Sequence, residues 1–202
     1  MENELMTIEN ELQEPAIDYR SMTPQQYLKM ERTSEFRHEY YDGYIQAMCG
    51  CGSSHSRIGR NLTMTVGKYL EGKSCELFTH ELKVGTPSNS AFMYTDIVIV
   101  CGEQEYLDDQ FDILLNPTVI FEIASPTSHL FDKGRKFHFY QEIPSLKEFI
   151  MIDSKKRMIH AYRKRNNGQW KLELFDEKAT DLCVQTIRFK ISLNEIYRDT
   201  GL

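Results

Sequence analysis

A carboxylate in the middle of a doubly buried strand is the feature that most constrains this chain. Val119-Ile120-Phe121-Glu122-Ile123-Ala124 is apolar at every position but one and is bounded by Pro117 and by Ser125-Pro126. That is the pattern of a strand covered on both faces. An isolated ionised carboxylate there would cost several kcal/mol, so Glu122 must be neutral, paired, metal-bound or open to a solvent-filled cleft. A second run, Tyr94-Thr95-Asp96-Ile97-Val98-Ile99-Val100, repeats the pattern with Asp96 at its leading end. Two carboxylates on two buried strands can meet across a sheet, and a cationic residue packed against them would complete a divalent-metal site able to activate water.

The rest of the chain is read around these two strands. With 202 residues it suits one domain with a substantial core. Residues 1–20 hold six acidic residues against Arg20 alone and are expected to form an acidic, disordered tail, leaving a nearly neutral domain over 21–202. A near-neutral body neither supports nor excludes a phosphate backbone as ligand, since a local basic stripe is what matters. No run approaches the length of a membrane span and no signal segment is visible, so the expected location is the cytoplasm. Five cysteines without a CxxC framework fit reduced thiols, with Cys49-Gly50-Cys51 as small residues in a turn.

Local signals set the element order. Thr23 followed by Pro24 predicts a helix start, Asp42-Gly43 a hairpin around His38 to Ile45, and Ser53 or Ser54 the cap of a helix with Ile58, Leu62, Val66 and Leu70 on one face. Short strands follow from Cys75 and Leu82, then the Asp96 strand, an acidic loop from Glu103 to Asp112, and the Glu122 strand. Thr127 or Ser128 is expected to cap a helix to Glu142 that carries Asp132, Lys136 and Tyr140 on one face. Strands over Lys147–Asp153, Met158–Arg163, Trp170–Leu174 and Thr186–Ile191 and a short helix capped by Ser192 close the chain. The basic clusters Lys155-Lys156-Arg157 and Arg163-Lys164-Arg165 read as solvated hairpin ends that could also meet a phosphate backbone.

At these residues the chain resembles the Uma-two family of restriction-endonuclease-like proteins, a branch of the PD-(D/E)XK nuclease superfamily. The matching pieces are Met22-Thr23-Pro24-Gln25-Gln26-Tyr27, Arg37-His38-Glu39-Tyr40 with Asp42-Gly43, and His55 at the head of the next helix. They continue through Asp96 to Val100, Asn116 to Thr127, Asp132 with Lys136 and Tyr140, Pro144 to Phe149, and Ile152-Asp153. The resemblance implies an α/β (α+β), restriction-endonuclease-like fold, a central mixed sheet flanked by helices. It also implies a site in which Asp96, Glu122 and the Ile123 carbonyl hold Mg²⁺ or Mn²⁺, with Glu39 as a further acidic position.

In the superfamily motif a lysine lies two residues after the glutamate. That position is Ala124 here, which points to Lys136 on the following helix, with Lys133 its nearest competitor. The usual proline before the first aspartate is Thr95. His55, Asp132 and Tyr140 are expected at the edge of the site or in contact with substrate. The implied activity is metal-dependent endonucleolytic hydrolysis of DNA by a homodimer. The alternative is a catalytically silent nucleic-acid-binding or assembly module on the same fold.

Overall fold

Thr23 opens α1 (Pro24–Glu31) with a reciprocal cap, its hydroxyl accepting the Gln26 N–H at 3.3 Å while the Gln26 side chain accepts the Thr23 N–H at 2.8 Å. The computed structural model describes residues 21–48, 50–124 and 132–202, with backbone alone for Asp132 and Lys133. The acidic tail, Cys49 and the predicted caps Thr127 and Ser128 lie outside the described residues.

After α1 come β1 (His38–Tyr41) and β2 (Tyr44–Ala47), joined at Asp42-Gly43, whose φ values of 48° and 94° explain why that dipeptide is there. Then α2 (Ser53–Leu70) buries Ile58, Leu62, Val66 and Leu70 as the spacing predicts. Its N-cap is Gly52 rather than a serine, without a side-chain cap bond. Next are β3 (Cys75–Thr79), β4 (Lys83–Gly85), β5 (Ala91–Tyr94), β6 (Ile97–Cys101), β7 (Ile113–Leu114) and β8 (Val119–Ala124). A π-helical turn, Asp132–Lys136, runs into α3 (Phe137–Gln141). The chain ends with β9 (Glu148–Asp153), β10 (Ile159–Lys164), β11 (Trp170–Phe175), β12 (Asp181–Val184), β13 (Phe189–Ser192) and α4 (Leu193–Ile196). None of the described helices is long and apolar enough to cross a membrane.

The larger sheet has the order β11-β10-β9-β8-β6-β3, with β8 and β9 parallel and the other neighbours antiparallel. One face, with Ile97, Ile99, Phe121, Ile123 and Ile150, packs under α2, α4 and the β12–β13 ribbon. The other, with Val98, Ile120, Phe149 and Met151, packs against Phe139 and Tyr140 of α3 and against Tyr41, Val84 and Met93 of the second sheet, ordered β2-β1-β5-β4-β7. Side chains such as Phe121 and Phe149 are fully buried and contribute roughly 1.5–3 kcal/mol each. A core of that size can hold a few charged groups at its centre.

Three further sequence expectations are revised. The run from Tyr94 to Val100 is not one strand: β5 belongs to the five-stranded sheet and β6 to the six-stranded one, and Thr95 and Asp96 carry the chain between them. The strand expected over Thr186–Ile191 is the second arm of a hairpin, because the chain turns at Gln185–Arg188 with Arg188 at φ 52°.

Cys75 and Cys101 are joined in a disulfide rather than being reduced thiols. They face each other in the β3–β6 register next to the Gly102 N–H to Ser74 carbonyl bond, which makes theirs the close, non-hydrogen-bonded kind of pair. Alkylation without reductant is therefore expected to label Cys51 and Cys183, which are exposed, and to reach Cys75 and Cys101 only after reduction. Reduction should cost about 3 kcal/mol from the loop the bond closes. Peptide mapping and denaturation with and without reductant check both.

Candidate functional site

The Glu122 side chain leaves β8 toward α3 and meets two donors there. The Tyr140 hydroxyl donates to Glu122 Oε1 at 2.6 Å, and Lys136 Nζ donates to the same oxygen at 3.3 Å. The predicted every-fourth-residue face is what aims both side chains at one carboxylate, although Lys136 closes a π-helical turn and Tyr140 lies in α3. On its other side Lys136 Nζ forms an ion pair with Glu39 Oε1 at 2.8 Å and donates to the Tyr94 carbonyl at 3.1 Å. An ammonium has three protons, and these are three acceptors.

Glu39 reaches the cluster from β1. Its Oε1 accepts the Tyr94 N–H at 3.0 Å and its Oε2 the Tyr41 hydroxyl at 2.7 Å. The β1–β5 ladder ends at Tyr40 opposite Phe92, and two residues further on the Glu39 carboxylate takes the place of a strand partner. Glu39, Glu122 and Lys136 are each about 5% exposed or less, so the charges are withdrawn from water and compensate one another.

Electrostatics decide the state of the lysine. Burial alone would lower the Lys136 pKa, but the Glu122 and Glu39 carboxylates outweigh it, and the net shift is well above the usual lysine range. Lys136 is therefore an ammonium at neutral pH, a fixed positive charge rather than a base. Burial, with Glu39 next, pushes the Tyr41 hydroxyl pKa well up. Burial and then Glu122 do the same for Tyr140. Both phenols are neutral donors.

Asp96 stands one step beyond the Ile97–Phe121 pair of the β6–β8 ladder, which puts it opposite Glu122. Its Oδ2 accepts the Ile123 N–H at 2.7 Å, holding β8 where β6 diverges, and its Oδ1 lies 3.2 Å from His55 Nε2 in the first turn of α2. Unlike the trio behind it, Asp96 is partly exposed, with 21% of its side chain open. The described residues hold no grouping of three or more His, Cys, Asp or Glu with metal-holding geometry. Asp96 and Glu122, opposite one another by register, would offer hard carboxylate oxygens of the kind taken by Mg²⁺ or Mn²⁺, ions that keep several waters and use one or two carboxylates.

The six predicted residues Glu39, His55, Asp96, Glu122, Lys136 and Tyr140, with the Ile123 main chain, thus fall at the seam between the two sheets. The side chains of Asp132 and Lys133 lie outside the described residues. Tyr41 and the Tyr94 main chain were missed by the sequence reading. His38-Glu39-Tyr40-Tyr41 shows no apolar–polar alternation, and β1 is buried at all four positions; Glu39 and Tyr41, two apart on one strand face, meet through the Tyr41 hydroxyl.

Thr95, which replaces the motif proline, is 1% exposed and its hydroxyl has no hydrogen-bond partner among the described residues. Thr95→Val is expected to stabilise the fold by about 1 kcal/mol by removing an unsatisfied buried group of the same shape, a gain measurable as a higher denaturation midpoint.

Comparison with known proteins gives the family and the fold. Two uncharacterized proteins of Synechocystis, slr1290 and sll1609, are each 28% identical to the chain. The first match runs over 184 residues, 91% of this chain and 95% of that protein, and the second over 159 residues, 78% and 90%. A solved structure from Anabaena variabilis, of a "putative nuclease belonging to DUF820", superposes with a TM-score of 0.72 at 20% identity, covering 87% of this chain and 97% of that one. It has the same fold. Residues 24–194 match the family described as "Uma2: Putative restriction endonuclease", and the chain belongs to that Uma2 family.

Proposed function

We propose that the chain is a metal-dependent endonuclease that hydrolyses phosphodiester bonds of DNA, with Asp96 and Glu122 as the metal-holding carboxylates. The observation that carries this reading is the buried Glu39–Lys136–Glu122 trio directly behind the partly exposed Asp96. A core does not retain three charges without either compensation or use, and replacing them by apolar side chains would cost the fold little. Mg²⁺ or Mn²⁺ bound by Asp96, Glu122, the Ile123 carbonyl and water would supply an acidified water and polarise the scissile phosphate.

The protein's own part is positional. Tyr140 and Lys136 pin the Glu122 carboxylate, and the Ile123 N–H with His55 orients Asp96. Lys136 offsets one of the two negative charges of Glu122 and Glu39, so the site brings a net charge of −1 rather than −2 toward an anionic phosphate. Attack by water on phosphorus breaks one P–O ester bond, and the departing oxygen takes up a proton. Cutting both strands requires two such sites, for which a two-fold homodimer is the simplest arrangement.

The test is supercoiled plasmid with Mg²⁺ or Mn²⁺, wild type beside Asp96→Asn and Glu122→Gln. Nicking by the wild type should require the metal and fall at least 100-fold in either variant. One observation favours the alternative of a silent nucleic-acid-binding or assembly module: all three Lys136 protons already have protein acceptors. Intact plasmid together with no metal binding by calorimetry would decide for that module.

A further inference from the structure

Three residues along the strands from Glu122, roughly 10 Å at strand spacing, the β8–β9 pair begins at Val119 opposite Glu148. Two adjoining cavities of about 540 and 400 Å³ open at that end, where β9 starts, β10 ends and the β10–β11 turn returns. Both are lined by Arg163, Lys164 and Arg165, with Lys147 on one side and Lys171 on the other. The carboxylates lining them are Glu148 and Glu173, and both are engaged by the buried Arg163: its Nε donates to Glu148 Oε2 at 3.0 Å and its Nη1 pairs with Glu173. Glu148 Oε1 is further held by the Thr186 N–H.

That leaves an unbalanced positive charge. Lys164 Nζ donates to the carbonyls of Ile143 and Pro144, at 3.4 Å each, lies 5.8 Å from the centre of the Trp170 ring, and forms no ion pair with the described residues. Lys147, Arg165 and Lys171 are exposed and make no ion pair with the described residues. Charge of one sign collected in a concave site focuses its potential on what enters. The remaining lining is Asn166, Asn167 and Gln185 amides with Pro144, Leu146 and Thr186. Among the described residues no aromatic ring lines the space, so they offer a base nothing to stack on, whereas cations and amides suit phosphate and sugar oxygens.

We infer that this groove binds successive phosphates of a nucleic-acid backbone, at a site apart from the Asp96–Glu122 cluster. Its occupancy is independent of cleavage, so it stands or falls separately from the nuclease reading. The contact is sequence-independent and dominated by counterion release, which makes it strongly salt-dependent.

The experiment is fluorescence anisotropy of a labelled duplex oligonucleotide with the full chain in EDTA, across a salt series. Wild type is compared with the triple variant Lys147→Gln, Arg165→Gln, Lys171→Gln. A charge-matched control carries Lys29→Gln, Lys68→Gln and Lys178→Gln, exposed residues elsewhere. The groove variant should bind at least 30-fold more weakly near 0.1 M salt. Its slope of log affinity against log salt should be shallower by about 3, one per lost contact, while the control stays within 3-fold of wild type. Equal losses in both variants, or no loss in the groove variant, would overturn the proposal. So would saturable binding of inorganic pyrophosphate that the groove variant abolishes, if duplex binding is unchanged, since the groove would then serve a free phosphate. Matching circular dichroism and melting of all three proteins exclude misfolding as the cause of a loss.

Discussion

Lys136→Met is expected to destabilise the protein by about 3–5 kcal/mol, because it leaves Glu39 and Glu122 buried together with the cation between them removed. In a chain of this size that corresponds to a fall in melting temperature on the order of 10 °C. The ammonium lies 2.8 Å from Glu39 and 3.3 Å from Glu122, and methionine replaces its length without its charge. Adding Glu39→Gln to Lys136→Met should restore part of the loss, as expected for residues in direct contact. Urea denaturation of the two single variants and the double variant reads the coupling directly. A loss below 1 kcal/mol for Lys136→Met would mean that the trio is not closed to water.

The second large effect is at alkaline pH. Tyr27, Tyr41, Tyr140 and Lys136 are all buried, and each has its pKa raised in the folded protein. For the three tyrosines burial is the leading cause, with Glu31, Glu39 and Glu122 in turn next. For Lys136 burial opposes the shift and the two carboxylates prevail. The sign is the same for all four: the protonated form is favoured by folding, so their contribution is complete below the unfolded pKa values and is lost as pH climbs above them. Each group then removes about 1.4 kcal/mol per pH unit, about 5 kcal/mol per unit for the set above pH 10.5.

Urea midpoints at pH 9, 10 and 11, with tyrosinate absorbance followed alongside, test this. Stability should drop steeply over the last interval, and the tyrosinate signal of these three phenols should appear only with unfolding. Their ionisation in the folded protein near pH 10 would refute it.

The part of the site that lies on regular repeats was legible in the sequence. Glu122 stands out because a six-residue apolar strand has no other reason to carry a carboxylate, and Lys136 and Tyr140 share a helical face aimed back at it. The Asp42-Gly43 turn and the α2 stripe were readable for the same reason: a local preference and the global fold agree there. What escaped depended on pairings between distant segments. The break between β5 and β6 is invisible in the apolar run because Thr95 is as compatible with a strand as with a crossing point. The Cys75–Cys101 bond follows from register, which no spacing rule supplies. Glu195 fits a capping-box position, and Ser192 does cap α4, but the Glu195 side chain turns instead to the Thr65 hydroxyl on α2, a partner 130 residues away.

The passage of the chain from β5 to β6 has a consequence for how this protein opens. Tyr94 donates its N–H to Glu39 and its carbonyl accepts from Lys136, so one residue's main chain belongs to both sheets' shared charge cluster. Prying the sheets apart would strand an ammonium, two carboxylates and two main-chain groups in a half-open interface, a species of high free energy. Partial unfolding along that seam is thereby suppressed, and amides of β1, β5 and β8 should exchange with solvent only by whole-molecule opening, as a single cooperative unit.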